Sequence, residues 1–166
     1  MIVATVCRKN DEWYTPRSAV DLILPYISPT ARVWCPFDTE DSEFVRAFRE
    51  RGNEVVATHV STGGDFFKIE PPPCDIIVSN PPFSVKTKVF KRLFEIGRPF
   101  AMLVGVAGLF EYQRFDVFRK KYVELLIPRK RVKYMNGEKI GTPPFSSWYV
   151  CNGVLPNQIT FELEVE

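Results

Sequence analysis

The sequence predicts an α/β fold whose central sheet is mostly parallel. Short apolar runs at residues 31–37, 74–78 and 99–105 have the length and composition of buried strands. Other segments carry apolar residues at helical spacing with charged residues on the opposite face. A polar, proline-rich segment follows the strand at 74–78, in the place where open parallel sheets bind ligands. These observations favour one α/β domain with a ligand site at one edge of its sheet.

Length and composition indicate a single globular domain. The 166 residues, 45% hydrophobic and 25% charged, suffice for one substantial core but not comfortably for two. The net charge of +2 is too small to indicate a polyanionic partner, so a nucleic-acid surface would need local clustering of charge. With no signal peptide and no long apolar run, the cytoplasm is the expected location. Four scattered cysteines and a single histidine, His59, favour buried thiols over a zinc site.

The first part of the chain predicts a short helix, a core strand and a second helix. Thr15 with Pro16 at the first helical position is a helix start signal, and apolar residues recur at helical spacing over 18–27. Residues 31–37 form the predicted first strand. The turn at 38–42 then opens a helix, because its Thr and Ser can cap and its acids suit the helix dipole.

The rest of the chain continues the alternation of strands and helices. A second strand is predicted over 53–60. So few residues lie between Asp65 and Asp75 that one crossover helix is expected to be missing or reduced. The later predicted elements are an amphipathic helix over 85–97, a strand over 99–105, a helix over 113–122, a strand-like segment over 123–134, a loop running into a strand over 141–151, and a closing strand over 158–163.

The segment Ser79-Asn80-Pro81-Pro82-Phe83 places an amide side chain just beyond the carboxyl end of a buried strand. The two prolines end the ladder because proline lacks an N–H group and fixes φ. Pro81 also pushes Asn80 into an extended conformation, which holds its side chain in one direction. The alternative is an ordinary strand followed by a proline-rich turn.

This segment resembles motif IV, Asn-Pro-Pro-(Tyr/Phe), of the S-adenosylmethionine-dependent amino-methyltransferases, of which the DNA adenine enzymes are best known. The resemblance implies a Rossmann-like methyltransferase fold with an antiparallel closing strand and a reduced set of helices. It also implies catalytic roles for Asn80, Pro81, Pro82 and Phe83. The Asn80 side chain and the Pro81 backbone would accept hydrogen bonds from the target amine, and Phe83 would stack on the base.

Two segments before motif IV resemble the family's cofactor-binding motifs. Trp13, Tyr14 and Thr15 are similar to the Tyr-Thr-Pro segment, motif X, of phage-type enzymes; the alternative is that the aromatic rings cap the core. Pro36 and Phe37 match motif I, Asp-Pro-Phe-x-Gly-x-Gly.

In motif I, however, Thr39 and Asp41 replace the glycines and Cys35 replaces the leading acid. This variant resembles that of the EcoRI-type adenine methylases and their phage relatives. The turn containing Asp38 is acidic and is expected to hold the cationic amino-acid end of the cofactor. The alternative is an acidic helix N-terminus with no ligand.

Asp65 and Phe66 complete the predicted cofactor site. They follow a glycine pair, and Asp65 lies fifteen residues before Asn80. The segment resembles the family's Asp-Phe motif, whose acid accepts a hydrogen bond from the cofactor's adenine amine while the aromatic ring covers its face. Asn80 is also expected to contact the cofactor. The alternative for Asp65 is a simple turn.

Three groups of residues predict contacts with nucleic acid. Phosphate binding is predicted for the densest basic cluster, Arg129, Lys130, Arg131 and Lys133, whose alternative is a solvated edge strand protected by charge. Lys86 opens a basic helix face beside motif IV. Phe145 and Ser146 lie in a segment that resembles the Pro-Phe-Pro-Ser segment near the target-base pocket of phage-type enzymes.

Together these resemblances predict a methyltransferase for the exocyclic amine of adenine in DNA, derived from a phage or a mobile element. The alternatives are methylation of RNA bases or protein glutamine, and a catalytically silent module that binds cofactor or nucleic acid. The chain has no room for a separate target-recognition domain. Specificity would therefore be low, or would come from the loops at 105–115 and 134–145, from a homodimer or from a partner chain.

Overall fold

The computed structural model describes residues 14–136 and 139–164 as an α/β fold with a seven-stranded sheet and a small two-stranded sheet. The seven-stranded sheet contains β1–β5, β8 and β9, and the hairpin of β6 and β7 forms the small sheet. The strands are β1 (Val33–Cys35), β2 (Val55–Ala57), β3 (Ile76–Ser79), β4 (Phe100–Gly105), β5 (Glu124–Ile127), β6 (Tyr134–Asn136), β7 (Lys139–Gly141), β8 (Ser147–Asn152) and β9 (Ile159–Phe161).

The large sheet has the order β2-β1-β3-β4-β8-β5-β9 and is mostly parallel. Only β8 runs against its neighbours, pairing antiparallel with both β4 and β5. The carboxyl ends of β1, β2, β3, β4 and β5 therefore lie on one side of the sheet, which we call the carboxyl edge.

Two layers of helices cover the sheet. The α-helices are α1 (Arg17–Asp21), α2 (Glu43–Glu50), α3 (Lys86–Ile96) and α4 (Gln113–Phe118). One core contains residues of α1 and α2 together with Cys35, Val78 and Leu103, and the other contains residues of α3 and α4 together with Trp34 and Ile77. Successive residues of a strand thus enter opposite cores, so the central strands are apolar throughout.

The connection from β2 to β3 contains a single 3-10 turn, Val60–Thr62, and no α-helix, in agreement with the predicted loss of a crossover helix. None of the described helices is both long enough and apolar enough to cross a membrane.

The structure corrects the predicted antiparallel closing strand. β9 does lie at the edge of the sheet, but it pairs parallel with β5, and the antiparallel strand is the internal β8. Between β8 and β9 the chain crosses from one side of β5 to the other. The buried Glu124, in β5, holds this crossing segment in place. Its carboxylate accepts hydrogen bonds from the backbone N–H groups of Val154 and Leu155, with shortest distances of 2.8 and 3.1 Å.

The strand-like segment predicted over 123–134 is also interrupted. β5 ends at Ile127, and the chain over 128–133 is a loop before β6 begins in the separate hairpin. The basic cluster therefore lies on a loop, and its interpretation as a charged edge strand is wrong.

The first helix is shorter than predicted and begins differently. Pro16 is its N-cap residue and makes no side-chain capping bond. The hydroxyl of Thr15 instead accepts a hydrogen bond from the Asn80 side chain, 3.0 Å away. Thr15 thus positions Asn80 instead of capping the helix.

Candidate active site

A cavity of about 1380 Å³ lies at the carboxyl edge of the sheet. Single small-molecule sites usually measure about 300–1000 Å³, so this cavity has room for two ligands. It brings together every described residue that the sequence predicted for catalysis or cofactor binding, while Trp13 lies outside the described residues. These lining residues are Tyr14, Thr15, Pro36, Phe37, Asp38, Asp65, Phe66, Asn80, Pro81, Pro82 and Phe83.

Asn80 follows β3 directly and is held by Thr15. Its Nδ2 donates to Thr15 Oγ1, which fixes the plane of the amide. Its carbonyl oxygen is buried and has no hydrogen-bond partner among the described residues. A buried acceptor without a partner costs about 1–3 kcal/mol. A ligand that donates an N–H group to Asn80 Oδ1 would remove this cost.

Phe83 belongs to an aromatic wall beside Asn80. Its ring centroid lies 4.9 Å from that of Phe145 and 6.0 Å from that of Tyr134, both edge-on. Phe145 packs so closely on Gly105 that a Cβ atom there would lie 2.8 Å from the ring. A glycine at the end of β4 thus allows the predicted nucleic-acid residue Phe145 to reach motif IV.

Ser146 and Lys86 lie beside the same wall. The backbone carbonyl of Ser146 accepts from Val106 N at 2.9 Å. The Lys86 ammonium donates to the carbonyl of Gly105 at 2.8 Å, and burial, together with the nearby charge of Arg114, lowers its pKa. Lys86 is therefore directed towards the end of β4 and is only partly exposed.

The loop at 63–69, which we call the Asp65 loop, forms another wall of the cavity. Gly64 is required because a Cβ atom would lie 2.8 Å from Thr58 Cβ and 3.1 Å from the backbone nitrogen of His59. Asp65 Oδ1 accepts from the backbone N–H of Phe67 at 3.0 Å, and Oδ2 pairs with Lys68 Nζ at 3.2 Å.

The two aromatic rings of this loop differ in exposure. Phe66 is buried, with its centroid 4.9 Å from that of Phe37 and 5.5 Å from that of Trp34. Phe67 is half-buried and also lines the cavity. Phe67 is thus the ring with more surface to offer a planar ligand, although the sequence motif pointed to Phe66.

Arg92 is a site residue that sequence reasoning missed. It belongs to α3, where the amphipathic pattern predicts a basic face but no particular contact for this residue. Its guanidinium donates to the backbone carbonyls of Phe66 and Ile69 at 2.6 and 2.7 Å and lies 5.6 Å from the Phe66 ring centroid. Arg92 thus holds the Asp65 loop against α3. No sequence pattern in the Asp65 loop indicates that Arg92 binds its backbone.

Asp38 is the first residue of the turn at 38–42 and is only 7% exposed. Its carboxylate accepts a hydrogen bond of 2.5 Å from Ser79 Oγ, the residue before Asn80. Burial raises the pKa of Asp38 to about 6, while hydrogen bonds from Ser79 and Ser42 oppose this rise. Asp38 forms no ion pair with any described residue, so the turn carries a buried acid that lacks a protein cation.

The other motif I replacements do not fill the cavity. Thr39 and Asp41 are exposed and line it, and Ser42 caps α2 by accepting from Val45 N at 3.4 Å. His59 also lines the cavity, but its ring accepts from Ser61 N at 3.1 Å and so caps a turn. Within residues 14–136 and 139–164, no group of His, Cys, Asp and Glu side chains could hold a metal ion.

The basic loop, defined by Arg129, Lys130, Arg131 and Lys133, lies outside the large cavity. It borders a separate groove of about 670 Å³ between α1 and residues 162–164. Arg129 is held there by Glu164, with Nη2 and Oε1 3.0 Å apart. The other three basic side chains of the loop are exposed.

Two comparisons with known proteins found no match for this chain. No protein-family model matches the chain, and no curated protein matches it.

Proposed function

We propose that this protein is an S-adenosylmethionine-dependent methyltransferase acting on the exocyclic amine of adenine in DNA. The observation that carries the proposal is the buried, unpartnered carbonyl oxygen of Asn80 in a cavity wide enough for two ligands. The sheet order and the cavity at its carboxyl edge are compatible with a Rossmann-like methyltransferase fold and support the same proposal.

The reaction needs the protein mainly for orientation. S-adenosylmethionine supplies a methyl group already activated by the sulfonium. Adenine's amine is a weak nucleophile because its lone pair is delocalised into the ring. Hydrogen bonds from the amine to Asn80 Oδ1 and to the Pro81 carbonyl would favour the pyramidal amine, in which the lone pair is available for attack. The new N–C bond would form as the S–CH3 bond breaks, with the neutral thioether as leaving group and the surplus amine proton passing to solvent.

Asn80 suits this role because its amide is fixed before the substrate arrives. The bond from Nδ2 to Thr15 leaves only the oxygen to face a donor. A preorganised dipole needs no rearrangement during the reaction. Phe83, supported edge-on by Phe145, would stack on a base that has left the duplex.

The charges of the cavity suit a cationic cofactor. The buried Asp38 and the exposed Asp41 lie in the motif I turn, where they would favour the sulfonium and ammonium groups of S-adenosylmethionine. The Asp65 loop offers a carboxylate and the half-buried Phe67 for the adenine end. Tyr14 would close the cavity beside Thr15.

A methyl-transfer assay tests the proposal. Purified protein with radiolabelled S-adenosylmethionine should label DNA, and nuclease digestion should recover the label in N6-methyladenine. Label found only in RNA or in protein would contradict the choice of DNA. Absence of both transfer and calorimetric binding of the cofactor would instead identify a silent module.

A further inference from the structure

Two exposed aromatic side chains follow β4, Tyr112 at the end of the connecting loop and Phe115 in α4. Tyr112 is 86% exposed and Phe115 is 58% exposed. We call these two residues, together with Lys86 and Arg114, the stacking surface. Among the lining residues of the large cavity, neither Tyr112 nor Phe115 occurs, so this surface lies outside it.

The loop that carries the stacking surface is fixed to the rest of the protein. Leu109 is buried, and its backbone N–H donates to the carbonyl of Val106 at 3.1 Å. Arg114 Nε donates to the carbonyl of Gly108 at 2.8 Å. The centroid of Phe110 lies 5.0 Å from that of the buried Phe118. The exposed rings are therefore presented by an anchored backbone.

The backbone of Tyr112 is strained. Its φ of 51° and ψ of −125° make it the one non-glycine residue with positive φ in the described chain. Such a conformation costs on the order of 1–3 kcal/mol. Because the Tyr112 ring is mostly exposed, its packing within the fold offsets little of this cost. The strained backbone therefore holds an aromatic ring in solvent.

The position of the surface links it to the candidate active site. The loop begins where Val106 N donates to the Ser146 carbonyl, next to Phe145 and the aromatic wall. Two cations are attached to the same stretch of backbone, since Lys86 donates to Gly105 and Arg114 to Gly108. Neither cation forms an ion pair within the described residues, although Glu111 is exposed in the same loop.

We propose that Tyr112 and Phe115 stack on the DNA bases beside the target adenine, while Lys86 and Arg114 attract the connecting phosphate. Exposed aromatic rings in the same stretch of chain as cations that form no ion pair with described residues fit nucleic acid better than an apolar protein surface. This inference rests on the proposed function and assigns the grip on flanking DNA to a loop of the catalytic domain itself. Stacking tolerates any base, so it predicts weak sequence preference at the flanking positions.

Substitutions of the two rings test this inference. In Tyr112→Gly the ring is removed and the strained backbone is relieved, so the melting temperature should stay equal or rise. Loss of one stacked base should weaken DNA binding about 5- to 150-fold. Phe115→Ala should act similarly, and Tyr112→Phe should bind as the wild type does. Ile159→Ala, at a similarly exposed side chain on the distant strand β9, is the control.

The measurements are fluorescence anisotropy with a labelled DNA duplex, calorimetry with S-adenosylmethionine, and methyl transfer. The inference expects weaker DNA binding with unchanged cofactor affinity. Unchanged DNA binding and unchanged KM for DNA in Tyr112→Gly and Phe115→Ala would overturn it, while wild-type transfer to DNA would leave the proposed function intact. If wild-type protein transfers no methyl group to DNA, the proposed function itself fails. Conversion of a wild-type dimer to monomers by these substitutions would identify a subunit interface and also overturn the inference.

Discussion

The Asn80 amide has one group bonded within the fold and one group left for a ligand. Its Nδ2 is committed to Thr15, and its buried oxygen has no partner among the described residues. Rotation of the amide by 180° would place its oxygen against the Thr15 hydroxyl, which can donate as well as accept. In the observed orientation the group without a partner is the Oδ1 acceptor, and its chemistry is the main ground for the proposed reaction.

Replacement of Asn80 should lower methyl transfer far more than it lowers the affinity for S-adenosylmethionine. Asn80→Ala should lower the rate of methyl transfer by at least about 100-fold, because a preorganised acceptor is removed. The dissociation constant for S-adenosylmethionine should change little. Thr15→Val should have a smaller effect of the same kind, since it only frees the amide. Ser84→Ala, at an exposed neighbour in the chain, is the control. Full activity of Asn80→Ala would refute the role of motif IV.

Asp38 should make stability depend on pH. Burial raises its pKa from 3.8 to about 6, so the folded protein holds this proton more tightly than the unfolded chain. The contribution of Asp38 to stability should therefore fall by roughly 3 kcal/mol as the pH rises from about 4 to about 6, and then level off. In Asp38→Asn this component should be absent, as urea denaturation at a series of pH values would measure.

Ser79→Ala is the matched variant for this effect. The hydrogen bond from Ser79 opposes the rise in the pKa of Asp38, so its removal should move the transition to higher pH. A stability difference between wild type and Asp38→Asn that does not vary with pH would show that Asp38 keeps an ordinary pKa.

The sequence predicted those site residues whose role depends on near neighbours in the chain. Asn80 was singled out because Pro81 constrains it locally, and Asp65 because a glycine pair precedes it, and both line the large cavity. The bonds of Asp38 to Ser79 and of Arg92 to Phe66 join residues that are 41 and 26 positions apart. Local pattern carries no information about such pairs.

At the scale of elements, α3 supports two parts of the site, one from its first turn and one from its middle. Lys86, in its first turn, bonds the end of β4, and Arg92 holds the Asp65 loop. The helix thereby fixes the separation between the aromatic wall and the predicted adenine pocket. Its basic residues consequently serve different purposes, which an amphipathic pattern alone does not distinguish.

Arg92→Met should weaken cofactor binding without unfolding the protein. Two carbonyls of the Asp65 loop lose their donor, so the loop becomes mobile and the affinity for S-adenosylmethionine should fall about 10-fold, equivalent to about 1.4 kcal/mol. Arg92→Lys should lie between this variant and the wild type. Calorimetry measures the affinity, and Arg98→Met, at the opposite edge of the sheet before β4, is the control. Equal affinity in all three variants would contradict this role of Arg92.

The type of a predicted element was correct where its apolar pattern was long. Its ends and direction were inaccurate where pairing with a neighbouring strand decides them. The helix predicted over 85–97 is observed as α3, and the strand over 99–105 as β4. The direction of β9 and the end of β5 were wrong, since both depend on pairing across the sheet. The position of β8 between β4 and β5 likewise has no signal in its own residues.

At the scale of the whole molecule, loops after several parallel strands meet at one edge. The motif I turn follows β1, motif IV follows β3, the stacking surface follows β4 and the basic loop follows β5. A DNA segment lying along this edge could contact the last two while one base enters the cavity. The described domain would thus supply a substrate surface from its own loops.

Removal of charge from the basic loop should weaken DNA binding in a salt-dependent way. If Lys130, Arg131 and Lys133 bind phosphates, their replacement by Gln should reduce the slope of log K against log salt concentration by about 0.9 for each phosphate that is no longer neutralised. The affinity for S-adenosylmethionine should not change. Anisotropy titrations at several salt concentrations measure the slope, with Arg98→Gln as control. An unchanged slope would exclude this loop from the DNA surface.

The internal position of β8 has a consequence for synthesis of the protein. As the chain leaves the ribosome, β4 and β5 emerge before the strand that must lie between them. Until residue 152 has emerged, the apolar strand β4 keeps one row of hydrogen-bonding groups unpaired, which is the type of edge that promotes aggregation. The nascent sheet therefore remains divided into two parts, and insertion of β8 joins them only after both of its neighbours have been made.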